Sequence, residues 1–219
     1  TGLRETQAFL GRKDHQSQSA IMRQTIAAWR IVIPGMMLVT MTTVSFYFIT
    51  AYTPTFGTAV LHLAMRDSLI VTLCVGILNF AVLPIGGALS DRIGRKPLLF
   101  ACTALTILTS YPAMLWLTSA PSFMRLLSVE LWLALVYAMY NGAMVAFLTE
   151  VVPPEIRTAG FSLAYSLATA IFGGFTPFVC TWLIHITGNH AVPAVWLSAA
   201  ALLGGCAALW LKPMPNTPS

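Results

Sequence analysis

The stretch Gly87-Ala-Leu-Ser-Asp91-Arg92-Ile-Gly94-Arg95-Lys96-Pro97 decides the fold class. It sets a carboxylate, three cations, two glycines and a proline between two long apolar runs. Each residue type has a physical reason to stand there. Gly87 carries no side chain, so a neighbouring helix can approach its backbone. Asp91 ends an apolar run and can accept hydrogen bonds from free amides at a helix N-terminus, where the dipole favours negative charge. Gly94 gives the chain a tight turn. Pro97 suits the first turn of the next helix. Arg92, Arg95 and Lys96 hold the turn on the cytoplasmic side of a bilayer and can pair with nearby acids. A basic turn that merely obeys this orientation rule is the plainer alternative.

The sequence on either side agrees with a membrane. Of 219 residues, 57% are hydrophobic and only 9% charged, where a soluble domain carries about a quarter. A hydrocarbon core of roughly 30 Å takes roughly 20 apolar helical residues. Six runs meet that length: Ile31 to Tyr52, Ser68 to Leu89, Leu98 to Leu117, Leu126 to Leu148, Ala159 to Ile184, and Val192 to Leu211. Ten of the twelve Lys and Arg fall before the first run, in the alternate loops, or after the last. Arg66 and Arg125 are the two on the other side. That bias predicts both ends of the chain in the cytoplasm.

The predicted division is therefore a cytoplasmic linker over 1–30, a transmembrane domain over 31–211, and a cytoplasmic tail over 212–219. Ser17 to Trp29 mixes Ile21, Ile26 and Trp29 with Arg23 and Gln24, as a short amphipathic surface helix or a helical linker does. The polar opening at Thr1 is no signal peptide, and a start without Met fits a fragment or a processed chain. Cys74, Cys102, Cys180 and Cys206 lie inside apolar runs as packing residues. His185 and His190 flank Gly188-Asn189 and read as a polar turn rather than a metal site. No cofactor pattern occurs, and the basic residues mark orientation rather than nucleic-acid binding. The motifs of membrane-embedded hydrolases, H-E-x-x-H and G-x-S-x-G, are missing too.

The pattern G-x-x-x-D-R-x-G-R-K at the cytoplasmic end of the second run resembles the signature loop of the major facilitator superfamily. The segment Thr149-Glu150-Val-Val-Pro153-Pro154-Glu155-Ile-Arg157-Thr-Ala-Gly160 is similar to the link between the fourth and fifth helices of a half in that superfamily. The resemblance implies a conformational switch built from Gly87, Asp91, Arg92, Gly94, Arg95 and Lys96, with Glu150 and Arg157 pairing with Asp91, Arg92 or Arg95. Three further strings, Glu5 to Leu10, Tyr52 to Phe56 and Ala159 to Ala170, look like the metabolite–proton symporter family, in particular its branch that carries citrate and tricarballylate. The implied fold is an all-α membrane protein. Its six-transmembrane-helix bundle would be the C-terminal half of a twelve-helix facilitator, itself a 3+3 inverted repeat. The implied function is proton-coupled symport of citrate or a related tricarboxylate across a bacterial inner membrane. The implied partners are an organic acid, a proton, the lipid bilayer and a missing N-terminal six-helix half. A half-transporter with a structural or regulatory membrane role is the alternative.

Transporters of this kind bind substrate near the midplane between two halves. Polar residues sharing one helix face are the candidates. In the fifth run Ser162, Tyr165, Ser166, Thr169 and Thr176 share a stripe, and Gly173, Gly174 and Pro177 should bend the helix. In the first run Thr40, Thr43, Tyr47 and Thr50 do the same. Tyr137, Tyr140 and Asn141 stand in the fourth run and Asn79 in the second. The substrate-binding set expected is Tyr47, Asn79, Tyr137, Tyr140, Asn141, Tyr165, Ser166 and Thr169. Hydrogen bonding between helices within the half is the competing use of every one of them. Glu130 is the single acid inside a predicted span. It reads first as a surface-level ion pair with Arg125 and second as a proton-coupling group. No Lys or Arg falls deep inside a run, so the cation for a tricarboxylate would come from the missing half, or the substrate would enter partly neutralised.

Overall fold

The computed structural model describes residues 28–154 and 156–212. The expected surface helix before Trp29, the string Glu5 to Leu10, Glu155 and the tail beyond Lys212 lie outside the described residues. Among the described residues, six helices are long and apolar enough to cross a membrane: α1 Trp29–Val60, α2 Met65–Ile93, α3 Arg95–Ser119, α4 Phe123–Val151, α5 Arg157–Thr187 and α6 Pro193–Trp210. They match the six apolar runs one for one. Five of them overrun those runs, because a helix can continue once it has left the hydrocarbon, while α6 falls one residue short at each end.

The largest overrun is in α1, which continues from Tyr52 to Val60. Two π-helical turns, Phe48–Tyr52 and Phe56–Val60, stand on either side of Pro54. Proline has no N–H, so the regular ladder loses a bond there. Threonine hydroxyls take up carbonyls in the irregular stretch. Thr50 donates to Phe46 O at 2.5 Å, Thr53 to Phe48 O at 3.2 Å and Thr58 to Pro54 O at 2.9 Å. Side-chain rescue of this kind is what lets a broken helix persist at membrane depth. α5 is broken as the Gly173-Gly174-Pro177 spacing predicts. Its first segment ends at Ala168, a π turn covers Thr169–Gly173, and the helix restarts at Thr176 with proline in its first turn.

α1 and α4 are the most enclosed helices, and α2 and α5 the least. α4 packs on α2 and α3, α1 packs on α5 and α6, and the two groups meet along α1–α4 and α3–α6. Exchanging α1 with α4, α2 with α5 and α3 with α6 maps this pattern onto itself. That is the arrangement expected of two three-helix repeats. The apolar interior falls into two clusters, one around Phe48, Tyr52, Phe56 and Leu126, the other around Leu38, Leu99, Tyr140 and Phe147.

The α2–α4 crossing is made backbone to backbone. A Cβ on Gly142 would stand 2.6 Å from both Gly87 N and Leu83 O, and one on Gly86 would stand 2.8 Å from Met139 Cα. The close approach expected at Gly87 is therefore made one residue earlier, since a Cβ on Gly87 would meet nothing nearer than 3.9 Å. The related α1–α5 crossing uses Gly173, where a Cβ would lie 3.0 Å from Thr43 Cβ and from the Tyr47 ring.

Candidate functional site

At one end of the bundle the signature stretch closes into a charge cluster centred on Arg95. Gly94 turns the chain with φ +96°, leaving a single residue between α2 and α3. The turn brings Asp91, at the end of α2, beside Arg95, at the start of α3, and they form an ion pair. Arg95 Nε donates to Glu150 Oε1 at 3.0 Å, at the end of α4. Its Nη1 donates to Ser90 Oγ at 2.5 Å and to Gly87 O at 3.4 Å. One guanidinium thus ties α2, α3 and α4 together, a use of its planar fork that lysine cannot copy.

Three expectations change here. Glu150 pairs with Arg95, but Arg157 does not join. Its Nε donates to Val152 O at 3.4 Å and it heads α5 in an exposed position. Arg92 is exposed and forms no ion pair among the described residues. Asp91 faces Arg95 rather than capping a helix, for neither α3 nor α5 has a side-chain cap. Lys96 lies over the Phe147 ring, 5.8 Å from its centroid.

Deeper in the bundle, tyrosines of three helices gather. Phe46 on α1 meets the Tyr47 ring edge-on at 5.8 Å and the Tyr137 ring on α4 at 6.2 Å. Asn141 Nδ2 donates to Tyr137 Oη at 3.4 Å, one helical turn away. Tyr165 on α5 stands within electrostatic reach of both Tyr47 and Tyr137 and stacks on Phe161 at 5.9 Å. Ser166 is exposed beside it, and Thr169 lies one turn further along. Phe46 was missing from the sequence reading. Nothing marked it beyond its place next to Tyr47.

Several polar atoms here have work left over. Asn141 Oδ1, Thr169 Oγ1 and, on α2, Asn79 Oδ1 are buried without a hydrogen-bond partner among the described residues. Unsatisfied atoms of this kind are costly unless something meets them in another state. Hydroxyls and amide N–H groups donate to carboxylates, while the amide oxygens accept from a hydroxyl or a protonated carboxyl.

Tyr140 does not join this group. It is fully buried, donates to Leu38 O at 2.9 Å and presses against Gly204 on α6. Its i+3 offset from Tyr137 turns it to the neighbouring face, where it fastens α4 to α1. Thr40, Thr43 and Thr176 also hydrogen-bond carbonyls within the bundle.

The ion pair expected between Glu130 and Arg125 is not formed. Arg125 Nη1 donates to Trp116 O at 2.8 Å and Ser119 Oγ at 2.9 Å, and its guanidinium lies over the Trp116 ring. α4 begins at Phe123, so Glu130 is about 10 Å along the helix. It is 1% exposed, and its Oε2 has no hydrogen-bond partner among the described residues. Its polar neighbour is Thr53, between the two π turns of α1. His185 and His190 are both exposed, and Asn189 Oδ1 accepts from Ala191 N in an ordinary polar turn.

The chain is 54% identical to the citrate-proton symporter of Klebsiella pneumoniae over 95% of its own length and 47% of that protein. It is 55% identical to the citrate-proton symporter of Salmonella typhi, over 92% of this chain and 46% of that one. The ectoine/proline transporter of Corynebacterium glutamicum is 26% identical over 87% of this chain and 38% of its own length. The chain spans about half the length of the curated relatives it matches. No solved structure matches it. Residues 3–211 match the family model described as sugar (and other) transporter, over nearly the whole chain. With six membrane-length helices among the described residues and relatives named as transporters or symporters, the chain belongs to the sugar (and other) transporter family.

Proposed function

We propose that this chain forms one six-helix half, the C-terminal one, of a proton-coupled symporter for citrate or a related tricarboxylate in a bacterial inner membrane. Both ends of the chain then face the cytoplasm, with 1–30 as linker, 31–211 as membrane domain and 212–219 as tail. The site lies on the face shared by α1, α4 and α5, where Tyr47, Tyr137, Asn141, Tyr165, Ser166 and Thr169 supply hydroxyl and amide donors. Asn79 on α2 is the outlying member. The observation that carries the reading is the gathering of Tyr47, Tyr137 and Asn141 around Phe46, from helices far apart in sequence, with Asn141 Oδ1 and Thr169 Oγ1 unpaired among the described residues. The chemistry of the substrate is supported by high identity to two proteins named citrate-proton symporters, against 26% to one named for ectoine and proline.

An unpaired amide oxygen suits citrate, which brings a hydroxyl of its own, better than tricarballylate, which lacks one. No Lys or Arg falls deep inside the described spans, so the cation for a carboxylate comes from the other half or the substrate enters partly neutralised. The cluster of Asp91, Arg95 and Glu150 serves as the cytoplasmic latch, closed when the ends of α2, α3 and α4 are drawn together.

The test is uptake of labelled citrate and tricarballylate by the complete protein in membrane vesicles, with and without an imposed proton gradient. Accumulation that needs the gradient and favours citrate is expected. Equal uptake without any gradient defeats symport. Preference for tricarballylate defeats the argument from the amide oxygen.

A further inference from the structure

We propose that Glu130 is the residue that takes up and releases the coupling proton, facing the π-helical stretch of α1. The inference rests on the symport reading above and assigns the proton a place in it.

Three observations converge. First, Glu130 is 1% exposed and one carboxyl oxygen has no partner among the described residues. An ionised carboxylate removed from water needs a counter-charge and several donors. The titratable groups on the facing stretches are Tyr52 and His62 around the outer end of α1, Arg66, Asp67 and Cys74 on α2, and Tyr111 on α3. None forms an ion pair with Glu130, and Arg125 on its own helix is committed to Trp116 and Ser119. A proton is then the smallest cation that satisfies this group.

Second, Glu130 faces a helix able to change register. Thr53 sits between the π turns Phe48–Tyr52 and Phe56–Val60, with its hydroxyl also directed at Phe48 O. A π turn carries one residue more than an α turn, so straightening one rotates everything beyond it by about 100°. That rotation moves Thr53 off the carboxyl.

Third, the same helix closes the way out. One turn outward from Glu130, Leu126 meets Gly57 of the second π turn, where a Cβ would stand 3.5 Å from Leu126 Cδ2. Against the same face of Gly57 lies Ser68, in the first turn of α2, whose hydroxyl is also unpaired among the described residues. The plug over the acid is thus built from the segment that changes register. Release of the proton and the rearrangement of α1 become one event.

The experiment uses the complete transporter in proteoliposomes, as wild type, Glu130→Gln and Glu130→Asp. Two transport modes are read: accumulation driven by a proton gradient, and exchange of internal for external citrate at equal pH, which needs no net proton movement. Glu130→Gln should lower driven accumulation by roughly tenfold or more while exchange stays within about twofold of wild type. Glu130→Asp should restore part of the accumulation. Infrared spectra of the same proteins should show the carbonyl stretch of a protonated carboxyl in wild type and lose it in Glu130→Gln. Unchanged accumulation in Glu130→Gln overturns the proposal. So does loss of exchange together with accumulation, or an infrared band that survives the substitution. Wild-type protein that shows the band but neither accumulates nor exchanges citrate sinks the substrate reading alone and supports Glu130 as a proton site.

Discussion

Replacing Gly142 with alanine should be among the most damaging single-methyl additions in the bundle. The added Cβ would lie 2.6 Å from Gly87 N, 2.6 Å from Leu83 O and 3.0 Å from the Gly86 carbonyl carbon. All three are backbone atoms of α2, so no side chain can swing aside. Contacts between heavy atoms are comfortable near 3.5 Å, and α2 and α4 must part by about 1 Å to reach that. This is the most extensive helix pair in the fold, so separation there loosens contacts along the whole crossing. Overpacking of this kind costs about 1–3 kcal/mol. At about 1.4 kcal/mol per factor of ten, the ratio of folded to unfolded protein falls by one to two orders of magnitude. The assay is equilibrium unfolding in mixed micelles, with Gly76→Ala on α2 as the reference. A Cβ at Gly76 meets nothing within 4 Å, and alanine favours a helix over glycine by about 1 kcal/mol. Gly76→Ala should therefore be neutral or stabilising. Equal stability of the two variants would refute the backbone-contact account of the crossing.

Tyr140→Phe removes the hydroxyl that donates to Leu38 O and should cost about 1 kcal/mol of stability, with the KM for substrate unchanged. Tyr137→Phe should do the reverse, raising KM by roughly tenfold with little change in stability, because its hydroxyl stands in the tyrosine group. Comparing the two by unfolding and by uptake separates the scaffold tyrosine from the site tyrosine. Arg95→Glu should slow turnover by opening the α2–α3–α4 cluster, and the added Glu150→Arg should restore part of the rate. Stability should move by no more than about 1 kcal/mol in either, since both acids are largely exposed. A stability loss in Arg95→Glu large enough to explain the lost turnover would remove the latch from the mechanism.

The fold was legible because hydropathy acts along the chain. Six apolar runs become six helices whatever their neighbours are, and Gly94 announces its turn without help from elsewhere. Pairings across helices were less legible, since they depend on rotation about each helix axis. The stripe from Tyr165 to Thr169 was found by periodicity, yet the same rule placed Tyr140 beside Tyr137, where a rotation of one face separates them. Gly86 and Gly87 were indistinguishable in sequence, and only the crossing angle of α4 selects one. Glu130 was misplaced because its span was started at Leu126, while the helix starts at Phe123 and puts the acid a turn deeper. The π turns left no reliable mark beyond Pro54 and a run of threonines.

The α2–α4 contact also fixes how motion would be scaled across the membrane. Gly86 is the fulcrum on which α2 bears against α4. The arm from Gly86 to Ile93 is about 10 Å, and the arm from Gly86 back to Met65 is about 32 Å. A tilt that shifts the Asp91 end by 1 Å, an order-of-magnitude illustration, carries the far end of α2 by about 3 Å in the opposite sense. Since Gly94 alone joins α2 to α3, the short arm has no slack to absorb such a shift. Small rearrangements among Asp91, Arg95 and Glu150 are thereby geared up at the opposite face, where Ser68 meets Gly57 of α1.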